Sequence, residues 1–167
     1  MSLPFEELMR SAESANVRLE LIRGIPVWEA SPVLWHQLEV DRIRGSIQAL
    51  PGSRCGCVHI ADVIFRFSDG SFKRPDIAIL CSMPTLPQGF QALEVIPEAV
   101  VEIISEGYEY KDLVLSPSFY LENGVKDIII LDPKTKVVLH HRAEWTEPKK
   151  LESPVRIELE CGCECVV

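Results

Sequence analysis

Apolar and polar positions change period several times along the chain, and each change marks the edge of an element. Residues 4–15, PFEELMRSAESA, place acidic side chains near the start of a short predicted helix, where they complement its dipole. In VRLELIRGIPVWEA, Val17, Leu19 and Leu21 alternate with Arg18, Glu20 and Ile22, and Gly24 supplies a turn. This predicts a β-hairpin. The period then lengthens to that of a helix in SPVLWHQLEVDRIRGSIQAL, with Ser31 as N-cap, Pro32 at the first helical position and Pro51–Gly52 as the stop.

A strand is predicted over residues 55–67, a turn at Ser68–Ser71, and a strand from Asp76 to Leu80. A loop containing Pro84, Pro87 and Pro97 leads to an apolar strand over residues 99–105. SPSFYLENG predicts a helix with Ser116 as N-cap, Pro117 at the first helical position and Gly124 as its stop. KDIIILDPKTKVVLHHR reads as a hairpin turning at DPKT, and PVRIELECGCECVV as one or two closing strands. No internal repeat, low-complexity run or linker interrupts this order. The expectation is a single α/β domain over residues 1–167, with a mixed sheet flanked by helices and a hairpin towards each terminus.

Composition narrows the functional classes. A chain of 167 residues with 47% hydrophobic and 25% charged residues is an ordinary globular domain. No apolar run approaches the ~20 residues needed to cross a bilayer. MSLPFEELMRSAES has no apolar segment of a secretory signal, so a cytoplasmic location is expected. The net charge of −8 argues against a surface that coats phosphates broadly. It leaves room for a local basic groove or an acidic, metal-filled site.

The six cysteines fall at Cys55, Cys57, Cys81, Cys161, Cys163 and Cys165. Without a secretory signal, reduced thiols are expected. A zinc site from CGC and CGCEC, with His59, is the sharper alternative. Both segments read as strands, where residues two apart are separated by ~6.6 Å. Two thiolates on one zinc lie no more than roughly 4.6 Å apart. The expectation is therefore buried or half-buried thiols, unless a turn or several strands supply the ligands.

The candidate chemistry begins with Glu102, which sits among Val100, Val101, Ile103 and Ile104. An ionised carboxylate in such a strand is costly unless a cation or hydrogen bonds compensate it. Asp76 opens the preceding strand in RPDIAIL. If the two strands are neighbours, the carboxylates converge at one sheet end, a donor set that suits Mg²⁺.

These motifs resemble the Uma-two family of putative restriction endonucleases, a branch of the PD-(D/E)XK fold. RLELIRG with Glu20 is similar to the family's Glu-Leu-Ile-x-Gly strand, and His36 stands at its helical histidine. RPDIAIL resembles the Pro-Asp strand, and PEAVVEIIS resembles the Glu-x-x-Ser strand, with Glu102 and Ser105 in register. YLENGVKDIIILDP matches at Tyr120, Gly124, Val125, Asp132 and Pro133. Asp112 matches the family's next acidic residue, but Ser116 stands where its lysine is expected, and Ile104 stands at the lysine of the (D/E)XK tripeptide. Lys111 is nearby in sequence, and Lys73 and Arg74 precede the Pro-Asp.

The resemblance implies a restriction-endonuclease-like mixed sheet and Mg²⁺-dependent hydrolysis of DNA, with Mn²⁺ as substitute. Asp76 and Glu102 are the implied metal ligands, Glu20 a third carboxylate, and Lys111 the candidate cation. A homodimer follows by analogy with enzymes that cut both strands of a duplex. The alternative is a catalytically impaired relative that binds nucleic acid or a partner without cutting. Other polar residues have structural readings. His36 is expected to be packed, Ser105 to bond near a strand end, Asp112 to be a loop residue or a site member, and His140–His141 to lie on a solvated strand.

Overall fold

The computed structural model describes residues 4–85 and 92–167. Helix α1 (Phe5–Ser14) buries Met9 and Ala12 against Leu19, Ile64 and Phe72. The following hairpin, β1 (Val17–Ile22) and β2 (Ile25–Ala30), turns at Arg23 and Gly24, which have φ of 50° and 79°. Two successive positive φ angles give the turn a twist that matches the flanking strands. Helix α2 (Leu34–Ser46) buries His36, Val40 and Ile43, one stripe at helical spacing. Its start is Val33 in extended conformation, without a side-chain cap. Ser31, expected as the cap, instead donates its hydroxyl to the Asn16 carbonyl at 3.3 Å.

The strand expected over residues 55–67 is two strands in different sheets. After β3 (Gln48–Ala49), residues 53–57 form no strand, and β4 covers Val58–Ala61. Asp62 then adopts φ of 59°, a left-handed conformation that breaks the extended run. The chain continues into β5 (Phe65–Arg66), β6 (Phe72–Lys73), β7 (Ile77–Leu80) and β8 (Ala99–Ile103). Pro87, placed by sequence in the intervening loop, lies outside the described residues. A π-helical turn, Lys111–Leu115, runs directly into α3 (Ser116–Glu122). Ser116 therefore lies inside a continuous helical path, with φ of −68° and ψ of −46°, and does not cap it. The wider π register accommodates Pro117, which has no N–H to donate. Gly124, with φ of 91°, ends the helix as expected. Strands β9 (Asp127–Leu131), β10 (Val137–His141), β11 (Lys149–Glu152), β12 (Arg156–Glu158) and β13 (Cys163–Val166) complete the chain.

The central sheet has six strands in the order β11-β10-β9-β8-β7-β4. Only the β8–β9 pair is parallel, and α3 makes the crossover that parallel pairing requires. Both strands are buried throughout, which explains their unbroken apolar sequences. Strand period sorts their side chains. Ile77, Ile79, Ala99, Val101 and Ile103 join α2 and the closing hairpin in one core. Ala78, Leu80, Val100 and Ile104 join Phe119 and Tyr120 of α3 in the other. Strands β2-β1-β6-β5 form a second sheet and β12-β13-β3 a third.

Two expectations change here. His140 is buried rather than solvated, because its Nε2 lies 2.6 Å from Asp127 Oδ1 and its ring packs edge-on against Trp145. Four of the cysteines are paired, as Cys55–Cys81 and Cys57–Cys163, and Cys161 and Cys165 are free thiols.

Candidate active site

Strands β7 and β8 pair antiparallel with Ile77 opposite Val101 and Ile79 opposite Ala99. Carried one residue further, that register sets Asp76 opposite Glu102. There the backbone ladder gives way to side chains. The Asp76 N–H donates to Glu102 Oε2 at 3.2 Å, and the Ile103 N–H donates to Asp76 Oδ2 at 2.7 Å. Each carboxylate is thus held by the neighbouring strand's backbone, so the splayed sheet end sets their spacing. His36 Nε2 reaches Asp76 Oδ2 at 3.3 Å from α2, while His36 Nδ1 is buried without a hydrogen-bond partner.

Glu102 turns towards α3, as its alternation with Val100 requires. Its Oε1 accepts the Tyr120 hydroxyl at 2.8 Å and lies 3.9 Å from Lys73 Nζ. Burial pushes the Glu102 carboxyl well above its ordinary range; Lys73 opposes this and Asp76 reinforces it. Burial and the same carboxylate raise the Tyr120 hydroxyl, which stays a donor.

Lys73 is wholly buried. Its ammonium donates to Glu20 Oε2 at 3.1 Å and to Ser116 Oγ at 3.0 Å, and it lies 5.2 Å from the centre of the Tyr120 ring. Glu20 accepts the Arg74 N–H through Oε1 at 2.7 Å. Lys111 Nζ lies 3.4 Å from Glu20 Oε2 and 3.7 Å from Asp112 Oδ1, and pairs with Glu29. Burial alone would raise the Glu20 carboxyl, but Lys111, Lys73 and the Arg74 N–H together hold it at about 2. Asp112, buried beside Lys111, is pushed up to about 7 by desolvation. Burial lowers the Lys111 ammonium, yet Glu20 and Glu29 outweigh it and raise its pKa well above the ordinary value.

Asp76 and Glu102 are adjacent as the sequence suggests, and Glu20 and Lys111 join them through Lys73. Asp112 is a buried member of the cluster, not a solvated loop residue. His36 is packed, as expected, but packed onto Asp76. Together with Ser105, it lines a narrow cleft opening on Asp76. Sequence reasoning left Lys73 unassigned and missed Glu29. The signal for Lys73 was the short Ser116 side chain at the lysine position, which leaves volume for an ammonium from another strand. Arg74 pairs with Glu13 of α1 and lies 3.7 Å from Asp62, tying the first helix to the site.

The donor chemistry fits a hard divalent cation. Glu20, Glu29, Asp76, Glu102 and Asp112 outnumber the two buried ammonium groups, Lys73 and Lys111. Asp76 and Glu102 offer oxygen donors alone, and an ion that retains several waters needs only one or two protein carboxylates.

The chain resembles a family described as putative restriction endonucleases in sequence, and a structure described as a putative nuclease in fold. A family model described as "Uma2: Putative restriction endonuclease" matches residues 5–164. Among curated proteins, none matches significantly. A solved structure of a putative nuclease belonging to DUF820, from Anabaena variabilis, superposes with a TM-score of 0.65 at 17% identity, over 84% of this chain and 80% of that one. At that identity the likeness speaks for the fold, and the family match, which spans nearly the whole chain, speaks for descent. With Asp76 and Glu102 meeting at one sheet end, this chain belongs to the Uma2 family of restriction-endonuclease-like proteins.

Proposed function

We propose that the chain is a single nuclease domain that hydrolyses phosphodiester bonds in DNA with Mg²⁺, or Mn²⁺ in its place. The observation that carries this reading is the pairing of Asp76 and Glu102, each hydrogen-bonded to the backbone of the other's strand. Asp76 and Glu102 would hold the ion. When bound, it would lower the pKa of a water and offset charge on the phosphate.

The remaining roles belong to the chain's own groups. Tyr120 donates to Glu102 Oε1 and fixes its rotamer. Lys73 sits against Ser116 and near Glu102, which supports it, over Lys111, as the counterpart of the family lysine. Glu20 lies between two buried ammonium groups, Lys73 and Lys111, which supports a role in positioning them rather than as an ion ligand. His36 orients Asp76 from the opposite layer. A homodimer would bring two such sites to a duplex. The exposed Trp28, Val33, Leu34, Trp35 and Leu38 along β2 and α2 support a self-association surface.

The alternative, a nucleic-acid-binding protein that does not cut, is favoured by one observation. Both site lysines are buried and already paired with carboxylates, leaving neither free to meet a phosphate. The test is plasmid and single-strand cleavage with Mg²⁺ or Mn²⁺, run beside melting curves. Metal-dependent cutting that falls by at least about 100-fold in Asp76→Asn and Glu102→Gln supports the enzyme. A Mn²⁺-raised melting temperature that Asp76→Asn abolishes, without any cutting, supports the binding protein. The absence of both cutting and metal stabilisation defeats the metal site.

A further inference from the structure

Three cysteine-bearing segments meet at the end of the central sheet opposite the carboxylates. Cys81 follows β7 at the end away from Asp76, and Cys55–Gly56–Cys57 and Cys161–Gly162–Cys163 close over it. The strand argument against a shared ion does not apply here, because neither Cys-Gly-Cys segment is extended. Residues 53–57 form no strand, Cys57 adopts φ of 48°, and Gly162 turns the second segment with φ of 94°.

These turns gather the sulfurs. The Sγ atoms of Cys55, Cys161 and Cys163 all lie within 4.8 Å of one another, and those of Cys55 and Cys163 are 3.4 Å apart. Cys81 is bonded to Cys55, and Cys57 to Cys163. A four-thiolate zinc with bonds of ~2.3 Å has sulfur–sulfur edges of roughly 3.8 Å. Among the described residues, no other set of three or more His, Cys, Asp or Glu donors is close enough to share one ion.

The backbone around the thiols is interlocked. The Gly56 N–H donates to the Cys81 carbonyl at 2.8 Å, and the Leu50 N–H donates to the Gly162 carbonyl at 2.9 Å. A Cβ on Gly56 would lie 2.8 Å from the Cys81 oxygen, and one on Gly162 would lie 2.4 Å from Ser53 Oγ. Only glycine lets these segments approach so closely. Two disulfides use four of the sulfurs and leave the Cys161 thiol beside them; a four-thiolate centre uses Cys161 directly.

We propose that this cluster is a structural zinc site, with Cys55, Cys161 and Cys163 as three ligands and Cys57 or Cys81 as the fourth. Loading starts from thiols. A phosphine or dithiol reductant delivers four electrons, with four protons from solvent, to the two disulfides. Zn²⁺ then displaces the protons of four thiols and changes no oxidation state. The bound ion clamps the closing hairpin to the Cys55–Gly56–Cys57 segment, which lies over the far end of β7, and takes no part in phosphodiester chemistry.

The test uses the full chain, produced in zinc-supplemented medium and purified with a phosphine reductant. Elemental analysis should find about one zinc per chain. Cys161→Ser is the discriminating variant: a disulfide-only arrangement leaves it without effect, whereas the zinc site should lose most of its metal. Co²⁺ alone, added to the reduced apoprotein, should give intense thiolate-to-cobalt absorption and tetrahedral d–d bands. A reduced wild-type chain without stoichiometric zinc, or unchanged zinc in Cys161→Ser, overturns the proposal. Should Cys161→Ser not fold, the wild-type stoichiometry and cobalt spectrum decide alone. Asp76→Asn should retain its zinc, so failure here is distinct from failure of the nuclease reading.

Discussion

Lys73 places a wholly buried ammonium beside Glu20, Glu102 and Ser116. Ser116 stands where the resemblance expects a lysine, and the Lys73 ammonium reaches its hydroxyl from β6 at 3.0 Å. Replacing Lys73 by Met would leave Glu20 and Glu102 buried with one cation fewer. Breaking a buried pair of this kind costs roughly 3–5 kcal/mol, readable by urea denaturation. Adding Ser116→Lys to Lys73→Met should recover much of that loss, because the new ammonium would enter the same volume. A double variant no more stable than Lys73→Met would show that the two positions are not interchangeable. Lys73 was hard to read from sequence because burial of a lysine depends on partners that converge only after folding. Glu102 was legible because its apolar neighbours already required a compensating partner.

At the scale of elements, the order of helices and strands followed from period, but several boundaries did not. Both hairpin turns and the Gly124 stop carry local signals that tertiary contacts reinforce. The long strand expected over residues 55–67 breaks at Asp62, since its two halves pair with different sheets. Ser116 loses its capping role because the π-helical turn before it continues the helix. The cysteine segments bend where alternation predicted strands, and Gly162 carries that bend. Gly162→Ala would combine an unfavourable φ with a contact to Ser53 Oγ of 2.4 Å. We expect a loss of at least about 1 kcal/mol in unfolding free energy. An unchanged denaturation midpoint would mean that the turn yields more readily than its packing implies.

Across the whole molecule, Glu20 binds the second sheet to the site. Its carboxylate joins β1 to Lys73 and Arg74 after β6 and to Lys111 on the π-helical turn. The folded pKa of about 2 lies below the ordinary 4.5. The ionised group therefore stabilises the fold fully above pH 4.5, and that contribution is lost as the pH falls towards 2. Glu20→Gln should be less stable at neutral pH and should lose less stability than the native chain over that acid range. Parallel acid limbs for the two proteins would count against this role. No helix among the described residues is long and apolar enough to cross a membrane.

The sequence alone determined the α/β class, most element positions, the kinship to nucleases and the Asp76–Glu102 pair. These are properties of local period and of motifs whose spacing survives in a linear reading. The tertiary structure alone decided which lysine meets Glu102, that Asp112 and His140 are buried, and that five cysteines converge. Those outcomes depend on contacts between residues far apart in the chain: Lys73 and Ser116 are separated by 43 positions, and Cys55 and Cys163 by 108. Period fixes which face a side chain takes, but only the packing of sheets and helices fixes what it meets there.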